Sequence, residues 1–195
     1  NCKSVTFVTN LPIWSMANGV GAPSMYLTIM GYTSTSHTVN YFTTEPNLDR
    51  EHYKINKFCS LSKFNMLRMK SPLLRKILKY FNWILLNFLM LILLLWHRPK
   101  GIIYAYEIFF VPAAKVYCFF SKNTKLVTRF QGTILTPVLK STKIQRLKIY
   151  VRKFDHLVAL HTPSDLIIMT DDGTQGDQVL EFLENKSKLL FVKNG

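Results

Sequence analysis

Acidic residues are scarce in this sequence and nearly missing from its middle. The 195 residues include 11 Asp and Glu against 25 Lys and Arg, which gives a formal net charge of +14. Between Glu51 and Asp155 the only acidic residue is Glu107, although 20 Lys or Arg residues lie in that interval. A basic segment of this kind needs a polyanionic partner or an anionic surface. No nucleic-acid recognition motif accompanies it, so we expect a membrane surface and no nucleic acid.

Cysteine is also rare, and its placement argues against a metal site or a disulfide framework. Cys2, Cys59 and Cys118 are odd in number and lack metal-ligand spacing. We therefore expect reduced thiols in a cytoplasmic protein. The five histidines show neither zinc-site spacing nor a triad arrangement with Ser or Cys. The pair Asp171-Asp172, followed by Gly173, predicts a turn more strongly than a Mg²⁺ site.

Apolar residues, by contrast, are abundant. The chain is 48% hydrophobic and 13% aromatic, which excludes a disordered protein, and its length suits one domain over residues 1–195. Short runs rich in β-branched and aromatic residues alternate with helical stretches, a pattern typical of an α/β fold with a parallel sheet and crossover helices.

The predicted strands and helices alternate along most of the chain. The strands are Ser4 to Thr9, His37 to Thr43, Tyr53 to Phe58, Gly101 to Tyr106, Lys125 to Phe130, His156 to His161 and Leu189 to Val192. The clearest helices are Ala22 to Tyr32, Ser71 to Trp96, Val111 to Ser121, Thr142 to Lys153 and Gln178 to Leu183. In the fourth helix Ile144, Leu147 and Val151 form an apolar stripe, which predicts an amphipathic helix with a solvated basic side.

The stretch from Ile77 to Trp96 is nearly long enough to cross a bilayer, but Asn82 and Asn87 interrupt it. A cluster of basic residues interleaved with leucines precedes this stretch and extends into its first residues. Three interpretations remain open: a helix lying flat on an anionic leaflet, a helix packed on the sheet, and a membrane span. The predicted membrane contacts are Lys63, Arg68, Lys70, Arg75, Lys76 and Lys79.

A glycine turn stands where the first strand passes to the first helix. Gly19 and Gly21 precede the helical stretch that begins at Ala22. Glycines at such a turn allow backbone N–H groups at a helix N-terminus to face an anion such as a phosphate. The third glycine of the dinucleotide fingerprint is missing, and no acidic residue takes the ribose position after the second strand. A plain tight turn remains the alternative.

Several short motifs, in this order, resemble the N-terminal half of a retaining GT-B glycosyltransferase of the family 4 type. The motifs are Gly19-Val20-Gly21, Gly31 with His37-Thr38-Val39, Gly101-Ile102-Ile103-Tyr104-Ala105-Tyr106-Glu107, Arg129-Phe130-Gln131-Gly132-Thr133, and Phe191-Val192-Lys193-Asn194-Gly195. The last of them is the most specific.

The resemblance implies a Rossmann-like three-layer domain with a mostly parallel sheet, which supplies the acceptor side of a two-domain enzyme. Gly19 and Gly21 would approach the donor diphosphate, and Glu107, Gln131, Gly132 and Thr133 would bind the acceptor. The family's donor signature, two glutamates separated by seven residues, has no counterpart, so we expect that the donor-binding domain is absent. Gln131 stands where many such enzymes carry a histidine, and no catalytic residue is predicted. For Glu107 the alternative is a salt-bridged surface carboxylate.

The function that the resemblance implies is metal-independent sugar transfer in polysaccharide biosynthesis. The co-substrate would be a nucleotide sugar, no cofactor would be needed, and the acceptor would be lipid-linked or a polysaccharide at the cytoplasmic face of the cell membrane. This half alone should transfer no sugar. The alternative is a peripheral membrane-binding α/β module without catalysis, because a fold does not settle a function.

Overall fold

A computed structural model describes residues 4–13, 21–46, 48, 51–64, 72–171 and 173–193, with the backbone alone at 72–77, 171 and 193. In these residues a single sheet of seven parallel strands runs in the order β3-β2-β1-β4-β5-β6-β7. The strands are β1 (Ser4–Thr9), β2 (Thr38–Thr43), β3 (Lys57–Ser60), β4 (Gly101–Tyr106), β5 (Thr124–Phe130), β6 (Leu166–Asp171) and β7 (Leu189–Lys193).

Helices cover both faces of this sheet, which confirms the α/β, Rossmann-like three-layer prediction. They are α1 (Pro23–Ser34), α2 (Pro72–His97), α3 (Val111–Phe120), α4 (Lys143–Arg152), α5 (Phe154–His161) and α6 (Gly176–Phe182), with 3₁₀ turns at Ser62–Phe64 and Thr136–Lys140. Residues 5–9 of β1 are all buried because a parallel sheet carries helices on both sides.

Two hydrophobic clusters fill the space between the sheet and the helices. One packs α2, α3, α5 and α6 against the sheet and includes Leu86, Met90 and Ala114. The other lies under α1 and includes Met25 and Ile29. The hydrophobic core therefore covers both faces of the sheet. Because the strands are parallel, their carboxyl ends all lie at one edge of the sheet.

Five of the predicted strands lie within a residue of their observed positions, whereas two predictions need correction. The predicted strand Tyr53 to Phe58 is displaced, because residues 51–54 form a turn and β3 begins at Lys57. The predicted strand His156 to His161 is wrong, since these residues belong to α5. A short apolar run fits a buried strand or a buried helix turn equally well. The strand is β6, over Leu166–Asp171.

The orientation of α4 also differs from the prediction. Its apolar stripe, Ile144, Leu147 and Val151, is 64 to 72% exposed. Arg146 instead faces the domain, with its guanidinium 4.5 Å from the centre of the Phe182 ring. Ile149 and Tyr150 pack against the core. The side of α4 that faces the core is therefore the one next to its most regular apolar stripe, and not the stripe itself.

Helix α2 packs on the sheet, and its two asparagines explain how. Asn87 Nδ2 donates to the carbonyls of Trp83 and Phe109 at 3.0 Å, and Asn87 Oδ1 accepts from the Ala113 N–H at 3.2 Å. Asn82 is fully buried. The amide of Asn87 therefore fastens α2 to the start of α3, and its polarity serves the domain interior.

Candidate functional site

The strand order reverses between β1 and β4, and the candidate site lies at the carboxyl ends of these strands. In open α/β sheets ligands bind at such a switch point. The site borders on the loop after β1, the first turn of α1, and the segments that follow β4 and β5. Residues 14–20 lie outside the described residues, so the predicted contact at Gly19 has no structural description here.

Gly21 has a backbone conformation that favours glycine, with φ at 118°. The Ala22 N–H just after it donates to the Pro12 carbonyl at 3.1 Å, and the N–H groups of Met25 and Tyr26 both donate to the Ala22 carbonyl. Pro23 has no N–H. Several of the groups that could bind a phosphate at the start of α1 are thus engaged or lacking. Diphosphate binding at Gly19 and Gly21 stays a prediction.

Three neutral polar side chains from distant parts of the chain meet at the site. Gln131 Nε2 donates to Ser24 Oγ at 2.5 Å and to the Tyr106 hydroxyl at 2.9 Å. The hydroxyls of Ser24 and Tyr106 also hydrogen-bond to each other. Ser24 comes from the first turn of α1, Tyr106 ends β4 and Gln131 follows β5. We call these three residues the hydroxyl–amide cluster.

Glu107 supports this cluster through the backbone. Its carboxylate Oε1 accepts from the Gln131 N–H at 2.9 Å, and its own N–H donates to the Arg129 carbonyl at 2.8 Å. Glu107 adopts a φ of 64°, an uncommon value for a non-glycine residue that turns the chain sharply at the end of β4. Glu107 and Gln131 therefore stand together, as the acceptor-site prediction requires, and contact with an acceptor stays a prediction.

Arg129 lies beneath the cluster on β5. Its guanidinium carbon is 5.7 Å from the centre of the Tyr106 ring, and one terminal nitrogen donates to Thr28 Oγ1 at 2.9 Å. Thr28 in turn donates to the Ser24 carbonyl at 2.7 Å. Burial raises the pKa of Tyr106, while the Ser24 hydrogen bond and Arg129 oppose the rise. The Tyr106 phenol is therefore protonated at neutral pH and can donate a hydrogen bond.

Gly132 and Thr133 shape the loop after β5. Gly132 has a φ of 83°, which favours glycine, and Thr133 is buried. The Thr133 N–H donates to Thr174 Oγ1 at 2.8 Å, while the Thr133 hydroxyl accepts from the Leu135 N–H at 3.1 Å. Thr133 thus joins the loop after β5 to the loop after β6, beside the cluster.

Sequence analysis missed Ser24, Thr28 and Arg129 as site residues, and it treated Tyr106 only as part of a strand motif. One available signal was a cation, Arg129, directly before the apolar Phe130 at the end of a predicted strand. Another was the position of Ser24 in the first helical turn after the glycine turn. Neither signal shows which side chains meet, because Ser24 and Gln131 are 107 residues apart.

The predicted membrane cations are only partly described. Lys63 is exposed in the 3₁₀ turn Ser62–Phe64, and Lys79 forms an ion pair with the buried Asp155 at 2.9 Å. Arg68 and Lys70 lie outside the described residues, and Arg75 and Lys76 are described by their backbone alone. The charge of Lys79 is therefore offset within the domain, and membrane contact by this set stays a prediction.

In the part of the chain that the structure describes, no group of three His, Cys, Asp or Glu side chains is arranged to hold a metal ion. Asp172, one of the two candidate Mg²⁺ ligands, lies outside that part. Neither a protein-family model nor a curated protein matches this chain.

Proposed function

We propose that this chain is the acceptor-binding, N-terminal half of a retaining glycosyltransferase. It would act with a nucleotide-sugar donor on a lipid-linked or polysaccharide acceptor at the cytoplasmic membrane face. The observation that carries the proposal is the hydroxyl–amide cluster at the switch point of a parallel sheet, with the Glu107 carboxylate beside it.

These groups suit a carbohydrate better than a phosphate or a metal ion. A sugar hydroxyl both donates and accepts, and the Ser24 hydroxyl, the Tyr106 hydroxyl and the Gln131 amide do the same. The three side chains now bond to one another, so a sugar hydroxyl entering the cluster would exchange one of those bonds for its own. Arg129, the cation beneath the cluster, already donates to Thr28.

Transfer itself would need a second domain. Negative charge develops on the leaving diphosphate, and preorganised N–H groups or cations must be aimed at it. The resemblance implies that a donor domain supplies basic side chains for this purpose. The residues of this half would bind and orient the acceptor, and the partner domain would stabilise the leaving group.

The test is saccharide binding by this chain, measured by saturation-transfer NMR with extracted lipid-linked oligosaccharides in detergent and with soluble glycans. We expect binding that Gln131→Ala weakens about two- to tenfold, because a lost hydrogen bond contributes about 0.5–1.5 kcal/mol. Gln178→Ala on the exposed side of α6 is the matched control and should bind as the wild type does. Equal binding by both variants, or no saccharide binding at all, would overturn the acceptor-site proposal.

A non-catalytic peripheral membrane module is the second candidate, and the exposed apolar side chains of α2 and α4 favour it. The two candidates differ in the cluster at the switch point. A membrane module would bind vesicles but no saccharide, and Gln131→Ala would have no effect on any binding. Saccharide binding that depends on Gln131 would favour the transferase half.

A further inference from the structure

Helix α2 carries an apolar ridge on its outward side. Its members are spaced three or four residues apart and are 43 to 60% exposed, although they are large: Phe81, Ile84, Phe88, Ile92 and Leu95. The opposite side of the helix is buried through Leu86, Met90 and Leu94. At 1.5 Å per residue, the ridge is about 21 Å long. A surface of this kind marks an interaction site rather than scattered exposure.

The ridge ends among cations and exposed aromatic rings. Leu95 and Phe120 line a cleft of about 450 Å³ together with Arg98, Lys100 and Lys122. Trp96 is 80% exposed and Phe119 is 79% exposed. Tyr117 donates to the Pro99 carbonyl at 2.7 Å, which fixes the end of α3 against the segment after α2.

The outward stripe of α4 ends near the start of the ridge. The Tyr80 hydroxyl on α2 donates to the carbonyls of Val151 and Arg152 at 3.1 and 2.6 Å. Cations accompany this stripe too, because Lys143, Lys148 and Arg152 are exposed on α4. Helices α2, α3 and α4 contain no acidic residue.

Charge identifies the partner. A second copy of this chain would bring another net charge of +14 toward the same cationic rim, and like charges oppose such an interface. An anionic bilayer fits both the apolar ridge and its cationic rim. Leucine and phenylalanine enter the acyl boundary, while Lys and Arg bind headgroup phosphates. Trp side chains also favour that boundary.

A membrane span conflicts with the packing of α2. By length and composition Leu78–His97 could cross a bilayer, with a mean hydropathy of 1.9. Leaving the domain would, however, expose the Asn87 amide and the buried Asn82 to hydrocarbon and remove the bonds to Phe109 and Ala113. Unsatisfied polar groups in hydrocarbon cost several kcal/mol each.

We infer that the apolar ridge of α2, together with the exposed ends of α2 and α3, docks on an anionic lipid bilayer with α2 lying in the plane of the membrane. This deepens the membrane part of the proposed function and stands without any sugar transfer. The Trp83 indole N–H donates to the Phe109 carbonyl at 3.0 Å, so the start of the ridge is level with the carboxyl edge of the sheet. The carboxyl edge of the sheet, where the hydroxyl–amide cluster lies, then faces along the bilayer.

The test is co-sedimentation of this chain with vesicles of phosphatidylcholine alone or with phosphatidylserine, across a salt series. We expect tighter binding to the anionic vesicles, and weaker binding as salt rises. Changing Arg98, Lys100 and Lys122 to Gln should weaken binding on the order of 100-fold, because each cation near an anionic leaflet contributes about 1 kcal/mol. The control changes Lys54, Lys186 and Lys188 to Gln, three exposed cations elsewhere, and should bind nearly as the wild type does.

A second pair of variants tests the apolar ridge. Phe88→Ser with Ile92→Ser should weaken binding at least about tenfold, since full burial of each side chain contributes about 1.5–3 kcal/mol and both are already about half buried. Leu27→Ser with Leu190→Ser is the control, because these side chains are 67% and 50% exposed away from the ridge. Brominated lipids should quench the fluorescence of Trp96, and Trp96→Phe should abolish that part of the quenching.

Circular dichroism and thermal unfolding must first show that the variants fold. Equal binding to both kinds of vesicle, ridge variants that bind like their control, or an unquenched Trp96 would each overturn the docking surface. Retention of the protein on membranes in a carbonate wash would overturn the docking surface in favour of a membrane span. A dimer that the ridge variant abolishes, with no vesicle binding, would overturn it in favour of self-association. Saccharide binding through Gln131 is measured in detergent, so either result can fail without the other.

Discussion

Asn87 offers the sharpest test of how α2 belongs to the domain. Asn87→Leu keeps the side-chain size and makes the helix more apolar, so a membrane span would tolerate it or gain from it. In the structure the change leaves the buried Ala113 N–H without its acceptor, whereas the Phe109 carbonyl keeps the Trp83 indole N–H. An orphaned buried donor costs about 1–3 kcal/mol. We expect the free energy of unfolding to fall by about 2 kcal/mol.

Urea unfolding followed by circular dichroism measures this loss. For a domain of this size, each kcal/mol lowers the melting temperature by about 2–4 °C, so a fall of about 4–8 °C should accompany it. Gln178→Leu, an exposed amide-to-leucine change on α6, is the control and should alter stability by no more than about 0.5 kcal/mol. An Asn87→Leu protein as stable as the wild type in the absence of lipid would refute the account of α2 as a helix fastened to α3.

Two further predictions concern pH and backbone strain. Burial, followed by the charges of Lys153 and Lys79, lowers the pKa of His156 below 6.5, with Asp155 opposing them. His156 therefore binds a proton more readily in the unfolded chain than in the folded protein, and the free energy of unfolding should fall as the pH drops through about 6.5. His156→Asn should flatten that decline, which urea unfolding at a series of pH values measures. Gly21→Val should lower the melting temperature, because a φ of 118° strains a β-branched residue by about 1–3 kcal/mol; an unchanged melting temperature would contradict the turn geometry.

The proposed docking surface and the proposed acceptor site would together explain why this domain leaves so much apolar surface uncovered. An acceptor anchored in lipid can reach a site only if that site is held at the bilayer. The ridge of α2 runs from the level of the site toward the amino edge of the sheet, where Arg98, Lys100 and Lys122 lie. Docking along the ridge would thus orient the site as well as concentrate the protein at the surface.

Local patterns in the chain were enough to predict most of the fold. β1, β4 and β5 are runs of β-branched and aromatic residues that can be buried only inside a sheet covered on both faces. Helices α2 and α3 follow from long apolar stretches whose boundaries are marked by proline and by charged residues. Such signals depend on neighbours in sequence, and they keep their meaning when the chain folds.

Only the tertiary structure decided between α5 and β6, because the apolar run His156–His161 and the apolar run of β6 look alike until their packing partners are known. The same holds for α4, which rests on Ile149, Tyr150 and Arg146 and turns its most regular stripe outward. The hydroxyl–amide cluster joins residues up to 107 positions apart. Hydrophobic periodicity indicates which side of a helix is apolar, but contacts across the fold determine whether that side packs against the core. Only those contacts bring polar groups from distant parts of the chain together.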